Sequence, residues 1–136
     1  MSTEDLRKVR VFISQPMSGY TEEQYLETRK EAEAEIDSYF ANATSFTYEI
    51  VSTYYDKEAK DAEKMKYPKI YRLGHALMVL ASCEYIYFAG NWKDKRSCVV
   101  EFIVSRMFGV YIIDKKNEVN VADIKITTSR ERKYEY

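Results

Sequence analysis

The sequence contains only two cysteines, Cys83 and Cys98, and a single histidine, His75. The cysteines form no CxxC pair, and His75 has no partner at the spacing that metal sites use. We therefore expect neither a metal nor another cofactor. Cys83 ends one apolar helical pattern and Cys98 begins another, which indicates two buried thiols in a reducing compartment. A disulfide or a metal site is the alternative.

The chain also lacks long apolar runs and an excess of positive charge. No stretch approaches the ~20 apolar residues of a membrane helix, and residues 1–10 lack the apolar segment of a secretory signal. The 21 basic residues are balanced by 22 acidic ones, whereas nucleic-acid binders show a basic excess. We expect a cytoplasmic protein that binds neither a membrane nor a nucleic-acid polymer.

The length of 136 residues and the composition, with 46% apolar and 32% charged residues, are typical of one globular domain. We place its core at about residues 9–127 and a charged tail at 128–136. The 13 tyrosines suit either a pocket for a flat ring or a dimer interface, because tyrosine combines apolar area with a polar tip.

Strand and helix patterns alternate along the chain. The β-branched and aromatic runs predict strands at 9–14, 46–52, 84–89 and 110–113, with 119–127 as a candidate fifth. Helical spacing predicts helices over 21–40, 68–83 and 96–108, whose apolar residues include Leu26, Ile70 and Met107 in turn. Thr21 and Gln24 predict a capping box at the start of the first helix, and Gly109 is the predicted end of the third. The polar segment 53–67 is predicted to be a loop with a short helical turn. This order predicts an α/β fold with a mainly parallel sheet of four or five strands and helices on both faces.

Ligands of such sheets bind outside the carboxyl ends of the strands, where this chain has loops at 15–21 and 90–97. The first loop carries hydroxyls at Ser14 and Ser18 and a flexible Gly19 before a helix N-terminus, a combination that can hold an anion. An ordinary turn is the alternative. The sequence has no GxGxxG and no Walker pattern, which disfavours dinucleotide and ATP binding by those routes.

Glu101 lies within an apolar helix pattern, one turn beyond Ser97. Burying a carboxylate is costly unless it has a partner, so the residue either serves a site or faces solvent or pairs with Arg96 or Arg106. His75, on the preceding helix, is a candidate general base; a core-edge or surface position is the alternative.

Three segments, at 11–23 (VFISQPMSGYTEE), 73–92 (LGHALMVLASCEYIYFAGNW) and 96–109 (RSCVVEFIVSRMFG), resemble the nucleoside 2-deoxyribosyltransferase-like superfamily, in particular a small phage and prophage branch. The resemblance implies a flavodoxin-like three-layer sandwich and a nucleoside or nucleotide ligand. It also implies a homo-oligomer, for which the 68–83 helix and the 53–67 segment are the candidate surface.

In the enzymes of this superfamily a glutamate attacks the anomeric carbon of the sugar, and Glu101 matches that nucleophile. Ser14, Ser18, Gly19 and Ser97 match positions that line the sugar or 5′-phosphate, and Tyr20 and Trp92 are placed to flank a base. The predicted catalytic residues are Glu101 and His75. The predicted substrate-binding residues are Ser14, Gln15, Pro16, Met17, Ser18, Gly19, Tyr20, Asn91, Trp92, Arg96 and Ser97.

Two departures from the superfamily pattern affect the prediction. Ala76 occupies the position of an aspartate that assists the departing base, with His75 beside it, and Ser97 replaces a glycine before the nucleophile. We therefore expect either a nucleoside or nucleoside 5′-monophosphate N-glycosidase or deoxyribosyltransferase, or a non-catalytic nucleotide-binding sensor or sequestering protein. A structural protein that binds a partner through its tyrosines is the third hypothesis.

Overall fold

The computed structural model describes residues 7–16, 19–51 and 61–113. The elements, in chain order, are β1 (Arg7–Ser14), α1 (Glu22–Tyr39), β2 (Phe46–Val51), α2 (Pro68–Leu80), β3 (Tyr85–Phe88), a short 3₁₀ helix (Trp92–Asp94), α3 (Arg96–Phe108) and β4 (Tyr111–Ile112). Strands and helices alternate as predicted. The candidate fifth strand at 119–127 and most of the 53–67 loop lie outside the described residues. The described part of the 53–67 loop begins with a helical turn at 61–63.

The four strands form one sheet in the order β2-β1-β3-β4. All three strand pairs are parallel, and β1 lies at the centre, paired with β2 on one side and β3 on the other. This order is that of the flavodoxin-like fold. The predicted α/β fold class with a parallel sheet is therefore confirmed.

Helices cover both faces of the sheet. On one face, Ala32 and Ile36 of α1 pack against Val11 and Ile13 of β1. On the other, Leu80 of α2 and α3 residues join a second cluster, whose buried members are Phe12, Val51, Leu80, Cys83, Ile86, Phe88, Trp92, Cys98 and Phe102. Because side chains alternate along β1, Ser14 lies on the same face as Phe12 and is directed towards α2 and α3.

Short-range signals set the ends of the helices. Thr21 caps α1, and its side chain and that of Gln24 form the predicted capping box. Pro68 begins α2, where its missing N–H costs nothing. Gly109 ends α3 in the left-handed conformation, as predicted for a C-terminal glycine. None of the described helices is long and apolar enough to cross a membrane.

Three residues predicted on apolar helix faces are exposed instead. Leu26 of α1 is 56% exposed, and Ile70 of α2 and Met107 of α3 are 65% and 72% exposed. Leu26 precedes the buried Ala32 by six residues, which places it about 120° around the helix from that position. The helix 68–83 also ends earlier than predicted, because the chain turns after Leu80, where the Cys83 amide donates to the Leu80 carbonyl.

Candidate functional site

The carboxyl end of β1 brings Ser14 into contact with Glu101 of α3. The Ser14 hydroxyl donates a hydrogen bond of 2.6 Å to Oε1 of Glu101, although the two residues are 87 positions apart. Their exposed fractions are 1% and 5%. The alternative in which Glu101 faces solvent is therefore wrong, and Arg106 lies instead over the ring of Phe102.

Burial dominates the electrostatics of this carboxyl group. Desolvation raises the pKa of Glu101 from 4.5 to about 7, and the hydrogen bond from Ser14 opposes this rise. Near neutral pH the group therefore exists in both its protonated and its ionised form. A carboxylate that is poorly solvated and held by one hydroxyl is a stronger base and nucleophile than one exposed to water.

Cys98 lies one helical turn before Glu101 and is also buried. Its pKa is raised to about 12, first by desolvation and then by the neighbouring Glu101, while hydrogen bonds with Ser14 and Ser97 oppose the rise. At neutral pH this residue is a thiol and not a nucleophilic thiolate. Both cysteines are free and buried, as the sequence predicted.

Tyr20 and Gly90 join the two loops that follow β1 and β3. The Tyr20 hydroxyl accepts a hydrogen bond of 3.4 Å from the backbone N–H of Asn91. A Cβ atom at Gly90 would lie 2.9 Å from that hydroxyl and 3.3 Å from Cγ of Pro16. Tyr20, which was predicted to flank a base, makes a contact between the two loops through its hydroxyl; its role beside a base stays a prediction.

The rest of the first loop is partly anchored to α1. The Gln15 side-chain amide donates a hydrogen bond of 2.6 Å to the Tyr25 carbonyl, and Pro16 is buried. Gly19 is exposed and has a positive φ of 82°. The predicted ligand residues Met17 and Ser18 lie outside the described residues.

Trp92 occupies a core position. Only 5% of its surface is exposed, and its ring packs against Phe88 and Phe102 with centroid distances of 4.4 and 5.4 Å. The ring was predicted to lie beside a base, and the structure places it in the core. The physical reason is that the 3₁₀ helix turns the indole inward, where its large apolar area is removed from water.

The start of α3 presents polar groups beside Glu101. Lys95 precedes the helix and provides no side-chain cap, and the positive end of the α3 dipole favours a negative charge here. Ser97 is exposed, and Arg96 is half-buried with its Nε and Nη2 atoms buried. These residues could hold a phosphate group.

The predicted base His75 is half-buried on α2, and Ala76 beside it packs against the core cluster that contains Cys98 and Phe102. The predicted catalytic and substrate-binding residues include neither Cys98 nor Gly90. Cys98 could have been found from its three-residue spacing to Glu101 on one helix. In the described ranges no group of three or more His, Cys, Asp or Glu side chains could hold a metal ion.

No known protein family, curated protein or solved structure matches the chain. The resemblance to the nucleoside 2-deoxyribosyltransferase-like superfamily therefore stays a prediction that depends on the motifs quoted above.

Proposed function

We propose that the protein is an N-glycosidase or deoxyribosyltransferase for a nucleoside or nucleoside 5′-monophosphate, with Glu101 as its nucleophile. The observation that carries this proposal is the buried Glu101 carboxyl group, hydrogen-bonded to Ser14 at the carboxyl end of β1. Ligands of open α/β sheets bind at this end, and a buried carboxyl group with a perturbed pKa marks a candidate reactive group.

The chemistry would proceed in two displacements. The ionised Glu101 attacks the anomeric carbon, the bond from that carbon to the base nitrogen breaks, and its electron pair and a proton from solvent or a nearby acid go to the base. Water, or a second base, then attacks the same carbon and releases Glu101. Two inversions give overall retention of configuration.

Residues around Glu101 suit the binding of a phosphorylated sugar. The N-terminal end of α3, the Ser97 hydroxyl and the Arg96 guanidinium would bind a 5′-phosphate through the helix dipole and charge-assisted hydrogen bonds. The loop after β1, with Gly19 at its exposed end, would enclose the sugar. His75 on α2 is the proposed proton carrier for the departing base.

A second candidate function is nucleotide binding without turnover, as a sensor or sequestering protein. It is favoured by Ala76, whose methyl group packs against the core cluster where an acid for the departing base was expected. A positioned acid contributes about 10²–10⁴ in rate, so its loss would leave binding with little catalysis.

For either function we propose a cytoplasmic homo-oligomer. Its candidate surface includes three exposed side chains, Tyr67, Ile70 and Met78.

The test is release of free base from a panel of nucleosides, deoxynucleosides and their 5′-monophosphates, followed by chromatography. We expect release by the wild type and its loss in Glu101→Gln, because an amide is a poor nucleophile. Glu31→Gln, which changes an exposed carboxyl group on α1, is the matched control and should retain activity. Equal release by wild type and Glu101→Gln would eliminate the proposed mechanism.

Thermal unfolding of Glu101→Gln and wild type with the same compounds separates the two candidate functions. A ligand that stabilises the wild type without being cleaved supports the binding protein, because binding to the folded state raises its apparent stability. If the panel produces no base release and no thermal shift, both functions are contradicted.

A further inference from the structure

We propose that Ser14 is a positioning residue, which holds the Glu101 carboxylate in its reactive orientation and does not itself bind the sugar. The inference rests on the proposed function of Glu101. It reassigns Ser14, because the superfamily resemblance placed this hydroxyl on the sugar or phosphate.

The contact between Ser14 and Glu101 leaves the serine little freedom to serve a ligand. Its hydroxyl has one proton, and at 2.6 Å that proton is donated to Oε1 of Glu101 when the carboxyl group is ionised. Ser14 is 1% exposed and is the last residue of the central strand. A donor on a rigid strand fixes one carboxylate oxygen and leaves the other, Oε2, for the reaction.

Cys98 lies one helical turn before Glu101 on α3 and is also buried. Its pKa is raised to about 12, first by desolvation, so the sulfur is protonated at neutral pH. The thiol therefore adds no negative charge that would compete with Glu101 for the proton of the Ser14 hydroxyl.

The groups around the hydrogen bond between Ser14 and Glu101 are largely uncharged. On α3, Cys98 is the titratable neighbour of Glu101, and Lys95 acts on Cys98 from the start of the helix. β1 contributes the uncharged Ser14, and β3 and the 3₁₀ helix contribute the apolar Phe88 and Trp92 to the adjoining core. Removing the Ser14 hydroxyl therefore takes away the hydrogen bond that opposes the raised pKa of Glu101.

The experiment is a titration of the Glu101 side-chain carboxyl carbon by NMR, with ¹³C-labelled glutamate and with Glu101→Gln to assign the signal. In Ser14→Ala we expect the titration midpoint to rise by about one pH unit or more, because a hydrogen bond to the ionised form is lost. Ser14→Thr retains the hydroxyl and should titrate close to the wild type.

Ser105→Ala is the matched control. Ser105 is also fully buried, and its hydroxyl makes no hydrogen bond within the described chain, so this variant loses the same atom and should leave the Glu101 midpoint unchanged. A midpoint in Ser14→Ala equal to that of the wild type would overturn the inference, as would an equal rise in Ser105→Ala.

A kinetic measurement links the titration to the reaction. If base release depends on Glu101, the acidic limb of the pH profile of kcat/KM should move to higher pH in Ser14→Ala and remain in place in Ser105→Ala. An unmoved limb, with activity still lost in Glu101→Gln, would refute the role of Ser14 and leave the proposed function intact. The NMR titration needs no substrate, so it decides the hydrogen-bonding claim even where no base is released.

Discussion

Glu101 is held by the fold in an environment that opposes its ionisation. The side chain is buried beside Cys98 and Phe102, and Ser14 supplies a hydrogen bond from the neighbouring strand. Burial raises the pKa of this carboxyl group to about 7, which means that the folded protein binds its proton more tightly than the unfolded chain does. A reactive carboxylate at this position therefore lowers the stability of the folded state.

Replacing Glu101 by glutamine should remove this pH-dependent loss of stability. The pKa of Glu101 is about 7 in the folded protein and 4.5 in its ordinary state. The free energy of unfolding of the wild type is therefore highest below pH 4.5 and decreases as the pH rises to about 7. The loss is on the order of 3 kcal/mol. Urea unfolding at several pH values should show Glu101→Gln gaining stability relative to wild type by that amount.

Glutamine suits this comparison because its Oε1 can still accept the proton of the Ser14 hydroxyl. Glu31→Gln, at an exposed position, should give a nearly constant difference from wild type over the same pH range. A constant difference for Glu101→Gln as well would contradict the raised pKa of this carboxyl group.

At the scale of elements, the loops after β1 and β3 meet at Gly90. This residue has a positive φ of 60°, and its α-carbon lies so close to Tyr20, Pro16 and Thr28 that a side chain would meet all three. The Tyr20 hydroxyl also accepts a hydrogen bond from the next backbone N–H, that of Asn91. The glycine therefore allows the two loops beside Glu101 to approach each other.

Gly90→Ala should destabilise the protein by about 1–3 kcal/mol, because the alanine adds backbone strain and a steric conflict. Gly74→Ala is the matched control: Gly74 lies inside α2 with open space around it. There the alanine should stabilise the helix by about 0.5–1 kcal/mol. Urea unfolding measures both changes.

The Tyr20→Phe background separates the two contributions at Gly90. Removing the hydroxyl eliminates the contact of 2.9 Å, so Gly90→Ala should cost less in this background than in the wild type. An equal cost in both backgrounds would show that backbone strain alone is responsible and that the loops are not in contact through Tyr20.

At the scale of the whole molecule, the central strand β1 contributes to both apolar clusters. Val11 and Ile13 pack with α1 on one face, and Phe12 packs with the cluster on the other face. Because the strand links the two clusters, the loss of either should expose the other. We therefore expect the two faces of the sheet to unfold as one cooperative unit.

Trp92 is the single tryptophan and provides the test. It is buried between Phe88 and Phe102 on the face of α2 and α3, so its fluorescence follows that face, whereas far-UV circular dichroism follows all elements. The two unfolding transitions in urea should coincide. Separate midpoints would contradict both the cooperative unit and the single-domain prediction.

Much of the fold could be predicted from the sequence because its signals are local. The alternation of strands and helices, the Thr21 capping box and the helix end at Gly109 depend on residues a few positions apart. The parallel sheet followed from that alternation. Local patterns were less informative about which side chains are exposed: Leu26 and Ile70 were assigned to apolar faces, and both are largely exposed.

For the candidate site, the sequence by itself determined that Ser14 ends a buried strand and that Glu101 lies in an apolar helix. Only the tertiary structure decided that they touch across 87 residues, that Trp92 is a core residue and that Tyr20 contacts the second loop. The same holds for the raised pKa of Glu101, because desolvation depends on every neighbour that excludes water. Backbone propensity acts over a few residues, whereas burial and pairing are set by segments that meet only when the chain folds.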